Sequence, residues 1–364
     1  MNRASILPLA LLALAACTPD FDPASRVEKL RVLAVQAEPP EIAPPPASGA
    51  PAAPDRAALT SFVLRADFAT APGRETTVLY LACVPTPGDP SPSPCVLLAG
   101  LRDPAGTIAE AARSSCAGPP PGGAAAIAFA GVEACRAPAA GAWRTCGAAI
   151  TSGGLTLPSP ELALPAGYGF DALPPGAPER ILGVQAAVLA FALDATPDEL
   201  AAGTGACPAE VLATRLAALW AQRDHVLTVK RVWIRGPAAP DARNVNPAID
   251  GIAAGNVPLD PAAPASLPRA SVALTPVSPA GADALHQPYT ELDSTGAPIR
   301  SAREEWVYSW FGTAGELKDL HTRDGGVEAW DLAAAAGGPA VVAAVVRDLR
   351  GGVAWRWAEV TIAP

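Results

Sequence analysis

The chain alternates short apolar runs with stretches in which proline and glycine break every period. Leu30–Val35 is a compact apolar run stopped by Glu38-Pro39-Pro40, and it predicts a first strand. Residues 39–55 carry no period and predict a loop. Phe62, Leu64, Ala66 and Phe68 alternate with Val63, Arg65 and Asp67, the period of two shown by a half-buried strand. Thr77–Val84 predicts another strand. The prolines of 85–94 predict an exposed loop, because proline cannot donate to a ladder. From about 100 to 178 Gly, Pro and Ala dominate, which predicts a long insertion with few strands. Ile181–Leu193 is strand-like. Thr196-Pro197-Asp198-Glu199 supplies a cap, a proline at the first helical position and a glutamate at the third, and predicts a short helix. Pro208–Arg223 predicts a second helix, with Val211, Leu212, Leu216, Leu219 and Trp220 on one face and Arg215 and Arg223 polar. That face is expected to pack on its own domain. Val226–Ile234 predicts a closing strand. Further strands are predicted at Ser271–Val277, Trp306–Phe311, Val327–Leu332, Val341–Asp348 and Val353–Ile362. The last two form a hairpin around Asp348-Leu349-Arg350-Gly351-Gly352, where glycine supplies the positive φ the loop needs.

Spaced short strands with turn residues between them predict a mainly β chain of two β-sandwich domains. The expected organisation is a leader at 1–16, a tether at 17–27 and a first sandwich with a Cys-rich insertion and short helices at 28–236. A Pro/Gly-rich linker at 237–268 and a second sandwich at 269–364 complete it. Composition sharpens this picture. The 364 residues include 42 Pro and 32 Gly, about one residue in five. These concentrate in 39–55, 85–94, 118–124, 158–178 and 236–268, whereas 77–84 and 341–348 contain neither. The excess therefore marks stiff connections rather than a disordered chain. Only three basic residues are lysines, Lys29, Lys230 and Lys318, and the net charge of −9 argues against a nucleic-acid partner.

The N-terminus has Arg3 followed by an apolar run from Ile6 to Ala16, too short for the ~20 residues a membrane-spanning helix needs. A basic start, a short apolar core and small residues at its end read as a secretory leader. Its end, Leu14-Ala15-Ala16-Cys17, resembles the lipobox of bacterial lipoproteins. The resemblance implies cleavage before Cys17, diacylglycerol on its thiol and acylation of the new amine. With Thr18 rather than Asp next, it implies the outer membrane. Six further cysteines remain: Cys83, Cys95, Cys116, Cys135, Cys146 and Cys207. An even number in an exported chain predicts three disulfides. Cys83–Cys95 and Cys135–Cys146 are the preferred short-loop pairs among fifteen connectivities. No C-x₂-C spacing supports zinc, and His225, His286 and His321 are far apart in sequence, so no metal is expected.

A wider resemblance rests on two groups of residues. Trp306-Val307-Tyr308-Ser309-Trp310-Phe311 and Val345-Val346-Arg347-Asp348-Leu349-Arg350-Gly351-Gly352-Val353-Ala354-Trp355 resemble the later strands of an immunoglobulin-like or PKD-like domain. PKD domains follow the Trp with a Gly-Asp-Gly-like turn, where this chain has Phe311-Gly312-Thr313-Ala314-Gly315-Glu316. Leu30 through Pro44, with Asn244-Val245-Asn246-Pro247, is similar to immunoglobulin-like lipoproteins of high-GC Gram-negative bacteria, a group with no assigned activity. The resemblance implies two immunoglobulin-like sandwiches.

Catalytic signatures are absent from the sequence. There is no Walker A, G-x-G-x-x-G, G-x-S-x-G, S-x-x-K or H-E-x-x-H. Glu304-Glu305 are neighbours that a strand would point to opposite faces, so they read as a solvated pair. Asp241, Asn244, Asn246 and Asp250 form a loose set of oxygen ligands that calcium could use, set against ordinary turn chemistry. Trp306, Tyr308 and Trp310 share one strand face, and Trp355 and Trp357 another. These five are either core or an exposed strip for a glycan or peptide. The expectation is a non-catalytic envelope protein without a cofactor, attached to the membrane through a lipid and in contact with an envelope protein or glycan. The alternatives are a carbohydrate- or peptide-binding module using the tryptophans and a hydrolase with its site in the insertion.

Overall fold

The computed structural model describes residues 24–44, 56–67, 74–88, 126–136, 146–148, 150–152, 155–157, 159–165, 167–201, 208–260, 263–324 and 326–364. The described residues are mainly β, arranged as two sandwiches with short helices on the first.

The first sandwich uses β1 (Arg31–Glu38), β2 (Glu41–Ile42), β3 (Arg56–Leu64), β4 (Glu75–Val84), β5 (Ala126–Arg136) and β6 (Cys146–Ala148). A small hairpin, β7 (Ile150–Ser152) and β8 (Leu155–Leu157), leads to β9 (Glu161–Ala163), β10 (Val184–Leu193) and β11 (His225–Ile234). One sheet runs β1-β3-β9 and the other β2-β11-β10-β4-β5-β6. Helices α1 (Glu179–Leu182), α2 (Pro197–Ala201) and α3 (Pro208–Trp220) accompany them. The predicted cap of α2 forms in both directions: Thr196 N–H donates to Glu199 Oε2 at 2.9 Å, and Glu199 N–H to Thr196 Oγ1 at 3.1 Å.

The second sandwich contains β12 (Gly251–Ala254), β13 (Val257–Pro258), β14 (Ala265–Leu267), β15 (Ser271–Val277), β18 (Val307–Gly312), β19 (Glu316–Leu317), β20 (His321–Arg323), β21 (Glu328–Asp331), β22 (Gly338–Arg347) and β23 (Val353–Ile362). Its sheets run β13-β12-β15-β21-β19 and β14-β23-β22-β18-β20. Helix α4 (Ala282–Leu285) and the hairpin of β16 (Pro288–Leu292) and β17 (Pro298–Arg303) lie between β15 and β18 in sequence.

Side-chain alternation stacks these four sheets and the helices α2 and α3 into five layers. Leu79, Leu81, Leu189 and Phe191 face α2 and α3, meeting Leu200, Leu216 and Trp220. Val78, Tyr80, Val188 and Ala190 face the other way, onto Val35, Leu59 and Val63 of the three-stranded sheet. That sheet in turn sends Leu33, Phe62 and Leu64 onto Val341, Val345, Trp355 and Trp357 of the second sandwich. Val342, Ala344 and Val346 then complete the second core with Trp306, Trp310 and Trp330. A strand covered on both faces loses its polar alternate positions, which is why β10 and β22 read as continuous apolar runs.

Three expectations are corrected. Strands β12 to β14 fall inside the 237–268 stretch expected to be a linker, because Ile252, Leu259 and Leu267 are core residues of the second sandwich. The 100–178 stretch contributes β5 along the whole of β4, and β9 beside β3. Its Ala- and Gly-rich sequence, AIAFAGVEACR, hides the period of two. Gly131 (φ 112°) is required where the register shifts: a Cβ there would lie 2.6 Å from Ser159 O. Finally, the end of the expected tether is part of the fold. Val27 N–H donates to Gly312 O and Gly312 N–H to Ser25 O, both at 2.9 Å, and Val27 is fully buried.

Candidate functional site: an interdomain clasp and its cleft

Three segments that carry the two resemblances meet in space. They are the turn after β1, the 241–247 segment and the β22–β23 hairpin. Asp348 is buried at the centre. Its Oδ1 accepts the Arg350 and Gly352 amides, each at 2.8 Å, and its Oδ2 accepts Asn244 Nδ2 at 2.8 Å. The loop closes tightly: a Cβ on Gly352 would lie 2.1 Å from Asp348 Oδ2 and 2.9 Å from Pro247. Asn244 N–H donates to Glu41 Oε2 at 3.0 Å, and Arg235 Nη1 reaches the same oxygen at 3.4 Å. Asn246 bridges the sandwiches: its Nδ2 donates to Ala37 O (2.8 Å) and Glu38 Oε2 (2.6 Å), while its Oδ1 accepts Val353 N–H (2.9 Å).

The β16–β17 hairpin closes the other side. Arg350 Nη1 donates to Glu304 Oε1 at 2.8 Å, and its guanidinium lies 4.9 Å from the Tyr289 ring centroid. Glu304 Oε2 accepts Gln287 N–H at 3.1 Å. Burial pushes the Glu304 carboxyl above its ordinary range, against the Gln287 amide and Arg350, which favour the charged form. Glu304, expected to be solvated, is therefore an internal member of the clasp. Glu305 is exposed and paired with Arg323 at 2.5 Å.

Beside the clasp a cleft of about 230 Å³ opens between the sandwiches, lined by Leu33, Val35, Val229, Lys230, Arg347 and Leu349 among others. The Lys230 ammonium donates to Gly351 O. Arg347 Nη1 donates to Ser309 Oγ at 2.9 Å and Nη2 to Leu33 O at 3.1 Å. Burial lowers both cations; Lys230 is drawn down to about 8, with Asp348 opposing the shift and Arg347 adding to it.

The predicted site residues distribute as follows. Trp306, Tyr308, Trp310 and Trp357 are at most 1% exposed and Trp355 is 6% exposed, so the strip reading is corrected. The two aromatic faces exist, but each is turned onto another layer. Trp310 Nε1 donates to Thr322 Oγ1 at 2.9 Å, and Trp355 stacks on Phe62 with centroids 5.6 Å apart. The oxygen set does not gather. Asp241 accepts the Thr290 amide and hydroxyl, Asn244 and Asn246 serve the clasp, and the Asp250 carbonyl accepts Arg356 Nε at 3.3 Å. Cys135 and Cys146 form a disulfide across β5 and β6, as expected from the short-loop pairing. Cys83 is also disulfide-bonded, and the expected Cys83–Cys95 pairing lies outside the described residues, as do Cys17, Cys116 and Cys207.

Among the described residues, Ser309 Oγ and His321 Nδ1 make a nucleophile–imidazole contact at 3.0 Å. Ser309 is buried and its oxygen also accepts from Arg347, so it is held as a structural acceptor. His286 stacks on Trp306, and His225 packs on Trp220. Much of the 100–178 stretch, where the hydrolase alternative was placed, lies outside the described residues. Glu41, Lys230 and Arg347 escaped sequence reasoning. The available sign was Lys230 itself, one of three lysines, placed within an alternating strand. No family model matches this chain, and no curated protein matches it.

Proposed function

We propose that this chain is a non-catalytic, lipid-anchored protein of the outer membrane, with its stacked sandwiches held out from the bilayer to contact another envelope component. The observation that carries the reading is Leu14-Ala15-Ala16-Cys17 behind a short apolar run. Each buried CH₂ of an acyl chain contributes ~0.8 kcal/mol to membrane attachment, so several chains anchor firmly. Support for an interaction role comes from the clasp, whose hydrogen bonds join three segments of the two sandwiches, and from the open cleft beside it. Among the described residues no helix is long and apolar enough to cross a membrane.

The test is metabolic labelling with radioactive palmitate in a Gram-negative host, followed by membrane fractionation. The wild-type chain is expected to carry label and to float with outer membrane, and Cys17→Ala to lose both. An unlabelled wild-type chain, or equal labelling of the variant, overturns the anchor.

A further inference from the structure

Lys230 and Arg347 face one cleft, and among the described residues their side chains donate to neutral oxygens: Gly351 O for the lysine, Ser309 Oγ and Leu33 O for the arginine. Among the described residues neither forms an ion pair. Asp348, the carboxylate that acts on Lys230, already has its two oxygens engaged by Asn244 and by the Arg350 and Gly352 amides. Two half-buried cations therefore share a cavity without a directly bonded counter-charge, in a chain whose net charge is −9. Burial without a counter-charge is unfavourable, and a bound anion removes that cost.

The walls narrow the class of anion. Leu33 and Val35 line the floor, while Val229 at 41% and Leu349 at 70% exposure hold apolar side chains at the mouth. Leu349 keeps its place with φ 63°, a left-handed conformation unusual for leucine. Two cations with one nearby carboxylate leave about one positive charge uncompensated, which suits a monoanion better than a phosphate dianion.

We propose that this interdomain cleft binds a carboxylate carried on an apolar stem, with Lys230 and Arg347 receiving the acid and Leu33, Val35, Val229 and Leu349 receiving the stem. The carboxylate can come from a free monocarboxylic acid or from the C-terminus of a polypeptide ending in an apolar residue. This inference rests on the interaction role proposed above but not on the anchor. Failure of palmitate labelling overturns the anchor alone, and failure of carboxylate binding overturns the cleft alone.

The test is calorimetric titration of the full chain in detergent with hexanoate, hexanoamide, inorganic phosphate, and acetyl-Ala-Ala-Ala-Leu as free acid and as amide. Binding of hexanoate, of the peptide acid or of both supports the site, and the pattern identifies the source. Lys230→Gln keeps a donor for Gly351 O and removes the charge, and is expected to weaken binding at least tenfold. Leu349→Asp changes only the exposed mouth, and is expected to weaken it similarly by repulsion. Binding is also expected to fall as pH rises through about 8, where Lys230, which faces Asp348 and Arg347, loses its proton. Neither acid binding, amides binding as well as acids, phosphate binding more tightly than hexanoate, or both variants binding like the wild type overturns the proposal.

Discussion

Truncating Phe62 to alanine is expected to weaken both sandwiches at once. Phe62 belongs to the first sandwich, is fully buried, and stacks on Trp355 of the second with centroids 5.6 Å apart and planes 4° from parallel. Around the pair lie Leu33, Leu64, Val345 and Trp357, all buried in the same layer. Phe→Ala at such a site costs about 3–5 kcal/mol, from lost transfer energy plus the cavity left behind. Stacking adds about 0.5–1.5 kcal/mol beyond area, and this should appear as non-additivity in a cycle with Trp355→Ala. The assay is urea unfolding of the oxidised full chain, followed by tryptophan fluorescence and far-UV circular dichroism. Five of the eight tryptophans lie after residue 305, so fluorescence weights the second sandwich. The expected result is one transition by both probes, moved to lower urea by the substitution. Two separated wild-type transitions, with Phe62→Ala moving only one, would refute the shared layer. So would a cost below about 1 kcal/mol.

Other consequences can be measured in the same way. Asp348→Ala strips acceptors from Asn244 and two loop amides in a residue 2% exposed, and is expected to cost about 2–5 kcal/mol; a change under about 0.5 kcal/mol would show that the clasp is not a stabilising element. Replacing Cys135 and Cys146 together by serine opens a link between residues 11 apart and is expected to cost about 2–4 kcal/mol, with non-reducing peptide mapping of the wild type as the check on pairing. Burial first, and then the Glu133 carboxylate, hold the Tyr80 phenol well above its ordinary value. A raised folded value means the native state keeps a proton that the unfolded state releases, so stability is full below pH ~10 and falls as pH rises above it. Tyr80→Phe is expected to reduce that alkaline loss while destabilising the protein near neutrality by about 1–3 kcal/mol, because Glu133 loses a donor. An unchanged alkaline slope in the variant would place the proton release elsewhere.

Parts of this structure follow from local rules. The Thr196–Glu199 cap of α2, the glycines of the β22–β23 hairpin and the alternation of Trp306, Tyr308 and Trp310 each depend on residues a few positions apart. The Cys135–Cys146 pairing was also within reach, because the two cysteines close a short loop. Strand β5 was not, since alanine and glycine give almost no contrast between its faces. The fate of the tryptophans was open for a related reason: periodicity puts side chains on a common face without saying what covers it.

By itself, the sequence determined a mainly β chain with stiff proline-rich connections, an N-terminus resembling a lipidation site, cysteines suited to disulfides, and the faces of those strands whose side chains alternate. Only the tertiary structure decided that the two sandwiches share a layer, and that Trp355 and Trp357 are core. It also brought together Glu41, Asn244 and Asp348, and set Lys230 and Arg347 across one cleft. The reason is the range of the interactions. A period of two or a cap is settled by neighbours in the chain, whereas burial of a second face, and the charge left over in a cleft, depend on partners a hundred or more residues away.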